Sequence, residues 1–185
     1  MSEWITRPLG EITAYIAKGI PPKYIDEKTN DAIFVLNQKC NRNFTISYED
    51  ARFHDLTKKT VADEKMLKPG DVLINSTGTG TAGRVAQIYS LEGDTTFDGH
   101  MILLRPCSDL ETLYYGYAIK AHQNEIESFA EGSTGQTEIN RTRLQNEVLI
   151  SYPVNKTEQQ AISGLLKNID DKIALNVRIN NNLAA

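Results

Sequence analysis

Hydrophobic positions along the chain fall into two kinds of run. Short unbroken apolar stretches recur at Ile33 to Leu36, Val72-Leu73-Ile74, Met101-Ile102-Leu103-Leu104 and Val148-Leu149-Ile150. Runs this short, bounded by Pro, Gly and Asp, predict strands covered on both faces. The second kind has a helical period. Ile162, Leu166, Ile169 and Ile173 recur at steps of four, three and four, the spacing of a helix that packs lengthwise on another. Continuing that step lands on Asn176, Asn180 and Leu183, so the seam keeps its register and turns polar toward its end. Thr157, with Gln160 three residues on, predicts a capping box and a helix from Lys156 to Ala185. Asparagine in such a seam costs stability and fixes register and oligomeric state. No second long helix is predicted upstream, so the partner of this one is expected outside the chain.

Weaker helical patterns precede it. Leu9, Ile12 and Ile16 are spaced as on a helix, with Gly19 at the C-cap position and Pro21-Pro22 forcing extended chain beyond. Leu113, Tyr117 and Ile119 predict a helix from Asp109 to His122, capped by Ser108 or Asp109, and Ile126 and Phe129 a second short one. Many short strands with few helices predict an α+β fold with a curled, mostly antiparallel sheet. The 185 residues divide into one compact domain over 1–153 and a terminal helix over 154–185.

Three polar stretches interrupt this pattern. Asn37-Gln38-Lys39-Cys40-Asn41-Arg42-Asn43 is amide-rich, has two cations and no acid, and is expected outside the core; its side chains are donors suited to phosphates and base edges. Asn75 to Arg84 follows a turn at Leu67 to Asp71 and a predicted strand, and Gly78, Gly80 and Gly83 spell GxGxxG. A dinucleotide site needs a helix directly after that motif, whereas Arg84 to Tyr89 is short and rich in β-formers, so a strand–loop–strand is expected. No Lys-Ser/Thr follows the last glycine, which removes the P-loop reading. The third stretch, Gly132 to Arg141, is again rich in Gly, Ser and Thr, with a Gln and an Arg.

Composition adds exclusions. Forty per cent hydrophobic and 24% charged residues is ordinary for a soluble protein, no apolar run approaches a membrane span, and Met1-Ser2-Glu3-Trp4 does not open a signal peptide. Cys40 and Cys107 stand far apart without a CxxC, as expected of free thiols in the cytoplasm. His54, His100 and His122 are isolated from one another and from both cysteines, so no metal spacing exists. There is no nucleophile elbow, HExxH or paired-carboxylate motif, and the Asn/Asp-Pro-Pro-aromatic tetrapeptide of adenine methyltransferases is missing. The net charge of −4 does not announce a nucleic-acid binder, although DNA senses one face and not the sum.

The order of features resembles half of the specificity subunit of a type I restriction–modification enzyme. The resemblance rests on Trp4…Leu9-Gly10-Glu11-Ile12 with Gly19-Ile20-Pro21, then Leu67 to Ile74 with Gly78…Gly83-Arg84-Val85. It continues through Gly135-Gln136-Thr137-Glu138-Ile139-Asn140 to Tyr152-Pro153…Glu158-Gln159-Gln160…Ile162 with Asp170-Asp171-Lys172-Ile173. These pieces span nearly the whole chain. The resemblance implies a target-recognition domain that reads one half of a bipartite site in double-stranded DNA. It also implies a helical region that spaces two such domains and docks methyltransferase subunits. Those subunits, and not this chain, would carry S-adenosylmethionine and the chemistry, and restriction subunits would complete the complex. A full subunit has two recognition domains and this chain has one, as in a half-subunit, natural or shortened.

Two copies are then expected to pair through Ile162, Leu166, Ile169, Ile173, Asn176, Asn180 and Leu183 as an antiparallel coiled coil, so that the homodimer reads a two-fold interrupted site. Lys39, Arg42, Lys58, Lys59, Arg84, Arg141 and Arg143 are candidates for phosphate or guanine contacts, and Asn41, Thr77, Thr134 and Gln136 for hydroxyl and amide readout. Two other readings stay open: a protein-only adaptor docking through the terminal helix, and a nucleotide-binding enzyme using the Gly78–Gly83 loop.

Overall fold

The computed structural model describes residues 3–132 and 137–183. Strand β1 (Trp4–Pro8) leads through a 3-10 turn at Leu9–Ile12 into β2 (Thr13–Lys18), and β3 (Tyr24–Ile25) and β4 (Ala32–Leu36) follow. A second 3-10 turn, Gln38–Cys40, opens the small hairpin β5 (Asn41–Arg42) and β6 (Thr45–Ile46), and β7 (Arg52–Asp55) comes next. Then come β8 (Val72–Asn75), β9 (Val85–Gln87), β10 (Thr95–Phe97) and β11 (Met101–Pro106). Helices α1 (Thr112–Ala121) and α2 (Gln123–Ser128) precede β12 (Ala130–Glu131) and β13 (Glu138–Ile139). Helix α3 (Arg141–Asn146), β14 (Leu149–Pro153) and α4 (Lys156–Leu183) complete the chain.

The α+β expectation holds, but among the described residues the strands are spread over two four-stranded sheets and the two-stranded pairs β1-β14, β12-β13 and β5-β6 instead of one sheet. The order β2-β11-β8-β9 is antiparallel throughout, while β10-β4-β7-β3 has one parallel pair, β10 with β4. Alternate residues of the central strands serve different cores. Val72, Ile74, Ile102 and Leu104 point into a cluster with Tyr115, Ile119 and Leu144, whereas Leu73, Met101 and Leu103 join Leu36, Phe97 and Cys40 on the other face. With apolar residues needed on both faces, the sequence shows an unbroken run instead of alternation.

Leu9, Ile12 and Ile16 do not form a helix. The 3-10 turn delivers Leu9 and Ile12 to the core, and Ile16 arrives on β2 opposite Leu104. A one-turn coil followed by a strand therefore mimics a four-residue period. Gly19 is no C-cap either: a Cβ there would lie 2.0 Å from the Asp98 carbonyl oxygen, so this glycine lets two backbones touch. Gly19→Ala must push that backbone aside and is expected to cost about 1–3 kcal/mol in a urea unfolding curve with the fold retained.

Both predicted helix caps move. Glu111 caps α1, its carboxylate accepting from the backbone N–H of Leu113 (3.0 Å) and Tyr114 (2.7 Å). Asn155 Oδ1 accepts from the N–H of Thr157 at 2.8 Å, so the cap of α4 precedes the capping box that the sequence suggested. Helix α4 is seated on α1 by its first two turns. Gln159, fully buried, donates to the Pro153 carbonyl (2.8 Å) and accepts from the Glu111 N–H (2.7 Å), while Ser163 donates to Glu111 Oε2 (2.9 Å). Among the described residues no helix is long and apolar enough to cross a membrane.

Candidate nucleic-acid interface

The strand–loop–strand expected at the glycine motif is observed. Asn75 N–H donates to the Arg84 carbonyl (3.0 Å) and Gly83 N–H to the Asn75 carbonyl (2.8 Å), closing the loop between β8 and β9. Gly78, Gly80 and Gly83 have φ of 114°, 70° and 90°, which favours glycine at each. A Cβ on Gly83 would lie 2.6 Å from the Glu127 Cα, so the last glycine makes room for α2. Strand β9 follows the loop directly, where a dinucleotide motif requires a helix.

Against this loop lies the Asn37–Asn43 stretch, which is not all surface as expected. Cys40 and Asn41 are fully buried. Asn41 Nδ2 donates to the Arg84 carbonyl at 2.8 Å, so a residue expected to read base edges instead braces the amide-rich stretch against the glycine loop. Burial pushes the Cys40 thiol up to about 11, which keeps it protonated and inert. The β5–β6 turn places Asn43 and Phe44 at φ of 53° and 60°, a conformation uncommon for a bulky side chain.

Arg42, Asn43, Phe44, Arg84 and Gln123 enclose a cleft of about 590 Å³. Arg84 Nη2 donates to the Gly80 carbonyl at 3.2 Å, and Arg42 Nε to the Lys39 carbonyl at 3.2 Å, with Asp50 3.7 Å from Arg42 Nη2. Both residues line the cleft while holding the loops through these contacts. A second cleft of about 570 Å³ is lined by Tyr24, Asn37, Gln38, Lys39, Glu49, Asp50, Ala51, Arg52, Asp98 and His100, so it mixes cations with carboxylates. There the Arg52 guanidinium stacks 3.5 Å from the Tyr24 ring, and Thr77 Oγ1 is hydrogen-bonded to His100 Nδ1 at 2.8 Å. Burial raises the Asp98 carboxyl above the usual carboxylate range, against the opposing hydrogen bond from the His100 N–H.

The structure thus brings Arg42 and Arg84 together, with Lys39 and Thr77 in or beside the adjoining cleft. Lys58 and Lys59 lie in the turn after β7 and line neither cleft, and Lys58 pairs with Asp55 at 3.3 Å. Arg141 begins α3 and lines a third, separate depression with Glu131 and Glu138. Arg143 is committed internally: it pairs with Glu147 at 3.0 Å and Glu131 at 3.5 Å and stacks on Phe129 at 4.4 Å. It braces α3. Thr134 and Gln136 lie outside the described residues. Sequence patterns do not single out Gln123, which falls between two predicted helices, or the apolar Phe44, because only tertiary packing carries them to the cleft.

Along α4 the expected seam is partly redistributed. Ile162 is half-buried against the domain's own core, so it is not free for a partner. Leu166, Ile169, Ile173 and Leu183 are exposed, as are Asn176 and Asn180. Leu165, Leu175, Val177 and Ile179 are exposed too and lie beside the seam. Together they widen the apolar face to about half the helix circumference, broader than a strict two-stranded seam.

The family model for the type I restriction modification DNA specificity domain matches residues 1–185. The chain belongs to that family. The fold of this specificity domain is similar to that of the S subunit of a type I restriction–modification system from M. genitalium, at 18% identity and a TM-score of 0.66 over 97% of this chain and 43% of that one. It is also similar to the HsdS subunit from Thermoanaerobacter tengcongensis, at 21% identity and a TM-score of 0.68 over 95% and 39%. A chain from structures of complex assembly and conformational transition in the type I R-M system matches at 23% identity and a TM-score of 0.69, over 95% and 40%. The specificity domain spans about two-fifths of the length of these solved chains. No curated protein matches it significantly. Among its described residues no group of His, Cys, Asp and Glu is placed to hold a metal ion.

Proposed function

We propose that this chain is the sequence-reading part of a type I restriction–modification complex, with residues 1–153 contacting one half of a bipartite site in double-stranded DNA and residues 154–185 spacing and docking. The observation that carries this reading is the convergence of Arg42 and Arg84 on one cleft, held by Asn41 and backed by Lys39 and Arg52 on the adjoining surface. Guanidinium groups on glycine-rich and amide-rich loops suit phosphate positioning and guanine readout, and the family match supports DNA as the ligand. The chain serves as a recognition subunit and not as the catalyst. Methyltransferase subunits bring S-adenosylmethionine and restriction subunits bring cleavage, in the cytoplasm where the DNA lies.

Two copies pair through α4 as an antiparallel coiled coil, and the width of its apolar face leaves area for a methyltransferase helix beside the second copy. A net charge of −4 means that affinity for DNA comes mainly within the assembled complex, where the partner subunits add basic surface.

The test is binding and site-specific methylation by the complex over a salt series. Replacing Arg42 and Arg84 together by Ala is expected to lower affinity about tenfold or more and to flatten the salt dependence by roughly two phosphate contacts. Unchanged methylation with unchanged salt dependence would point to an adaptor without a DNA role.

A further inference from the structure

Beyond its seat on Glu111, α4 meets the domain again further along its length. Asp170, almost two turns past Ser163, accepts from Tyr117 Oη at 2.9 Å and from Lys120 Nζ at 2.7 Å. Both donors stand on one face of α1, three residues apart. Burial pushes the Asp170 carboxyl up, but the hydrogen bonds from Lys120 and Tyr117 and the lysine charges outweigh it, so the group stays below its ordinary value and is ionised at neutral pH. Lys120 also lies 4.7 Å over the Phe44 ring, and Lys167 lies 5.3 Å over the Tyr89 ring. Phe44 is the residue held at a φ of 60° in the β5–β6 turn, so an unfavourable backbone conformation is maintained where the hairpin meets this cluster. Phe44, Tyr89, Lys120, Lys167, Asp170 and Ile173 line the crevice between helix and domain.

Helix α4 has 28 residues and is about 42 Å long. Gln159 and Ser163 hold only its start, and about 30 Å of helix runs on from Ser163 to Leu183. Pivoting about that seat by about 10° would carry the far end about 5 Å, more than the ~3.4 Å step between base pairs. A second attachment, offset along the axis, removes that freedom.

We propose that the Asp170–Tyr117–Lys120 cluster is a clamp that fixes the angle at which α4 leaves the domain, and so makes Asp170, Tyr117 and Lys120 positioning residues for the gap between half-sites. This rests on the reading of α4 as the spacer of a two-domain DNA reader. Helix length sets how far apart two domains stand, and the clamp sets how narrowly that distance is held.

Two measurements decide it. In the first, spin labels at Glu49 and Asn181 of one chain, diluted with unlabelled protein, report the domain-to-helix distance. A narrow distribution in the wild type that broadens at least twofold in Asp170→Asn supports the clamp, and an unchanged distribution in the variant overturns it. In the second, the assembled complex methylates duplexes whose half-sites, taken from its own methylation map, are set at the native gap or one and two base pairs longer or shorter. The wild type is expected to prefer the native gap tenfold or more, and Asp170→Asn to lose at least threefold of that preference while binding a single half-site as before. The exchange Lys120→Asp with Asp170→Lys is expected to restore part of it, which a merely destabilised variant would not show. Full gap selectivity in Asp170→Asn overturns the clamp alone, whereas a wild type indifferent to gap length overturns both the clamp and the spacer reading.

Discussion

Arg105→Ala is expected to cost about 3 kcal/mol of unfolding free energy, measured by urea denaturation at neutral pH. Arg105 grips Asp71 with two parallel hydrogen bonds of 2.7 Å, Nε to Oδ1 and Nη2 to Oδ2, and also donates to the Met66 carbonyl at 3.1 Å. The Asp71 side chain is 2% exposed, so removing its partner leaves a carboxylate in a poorly solvated site. The remaining donor is the Lys68 N–H at 2.8 Å, which alone does not replace a guanidinium. The Arg105 side chain keeps 21% of its surface in water, which places the loss at the lower end of the range for breaking a buried pair. Arg105→Lys should recover only part of it, because an ammonium supplies charge without the planar fork. The pair ties β11 to the turn that launches β8, and β8 carries the glycine loop. A loss under 1 kcal/mol would mean that water reaches Asp71 freely and the turn needs no tether.

The tether shows which parts of the molecule sequence patterns reveal. Val72 to Ile74 and Met101 to Leu104 were legible because strands buried on both faces need unbroken apolar runs, and the hydrophobic clusters place alternate residues on opposite sides. The glycine loop was legible for a related reason: β-formers after Gly83 exclude the helix that a nucleotide site requires. Leu9, Ile12 and Ile16 misled because a 3-10 turn joined to a strand reproduces a helical interval. Local chemistry cannot separate the two, since the strand is chosen by its pairing with β11, more than 80 residues away.

The candidate interface was legible by residue type and not by residue. Arg42 and Arg84 stand in polar stretches and Arg143 follows another on α3, yet only tertiary contacts decide which arginine lines a cleft and which is held by Glu131 and Glu147. Asn41 makes the same point from the other side: an amide in a stretch of amides is drawn inside, where its Nδ2 becomes a second donor to the Arg84 carbonyl beside the Asn75 N–H. On α4 the four-three step found Leu166, Ile169 and Ile173 but passed over Leu165, Leu175 and Ile179, because a pattern tuned to a narrow seam ignores apolar residues flanking it.

The sharpest consequence of that face is at Ile169. If two copies pair along α4, Ile169→Asp removes one buried isoleucine per chain and places an acid in the seam of both, because a two-fold interface repeats every change. Burial of an isoleucine contributes about 1.5–3 kcal/mol, so the two losses together amount to about 3–6 kcal/mol, or a weakening of self-association of about 100-fold or more. Sedimentation equilibrium across a concentration series reads this directly. The domain itself should be spared: Ile169 is 47% exposed on the single chain, so the thermal unfolding midpoint of the monomer is expected to move little. Ile162→Asp should behave in the opposite way, because Ile162 packs against the cluster of Tyr115, Ile119 and Leu144, and a charge there destabilises the fold before any pairing is tested. Asn176→Leu supplies the third contrast, tightening self-association while loosening register, as loss of a seam asparagine does in coiled coils. A chain that stays dimeric with Ile169→Asp would place its contact elsewhere and leave the exposed half of α4 free for another partner.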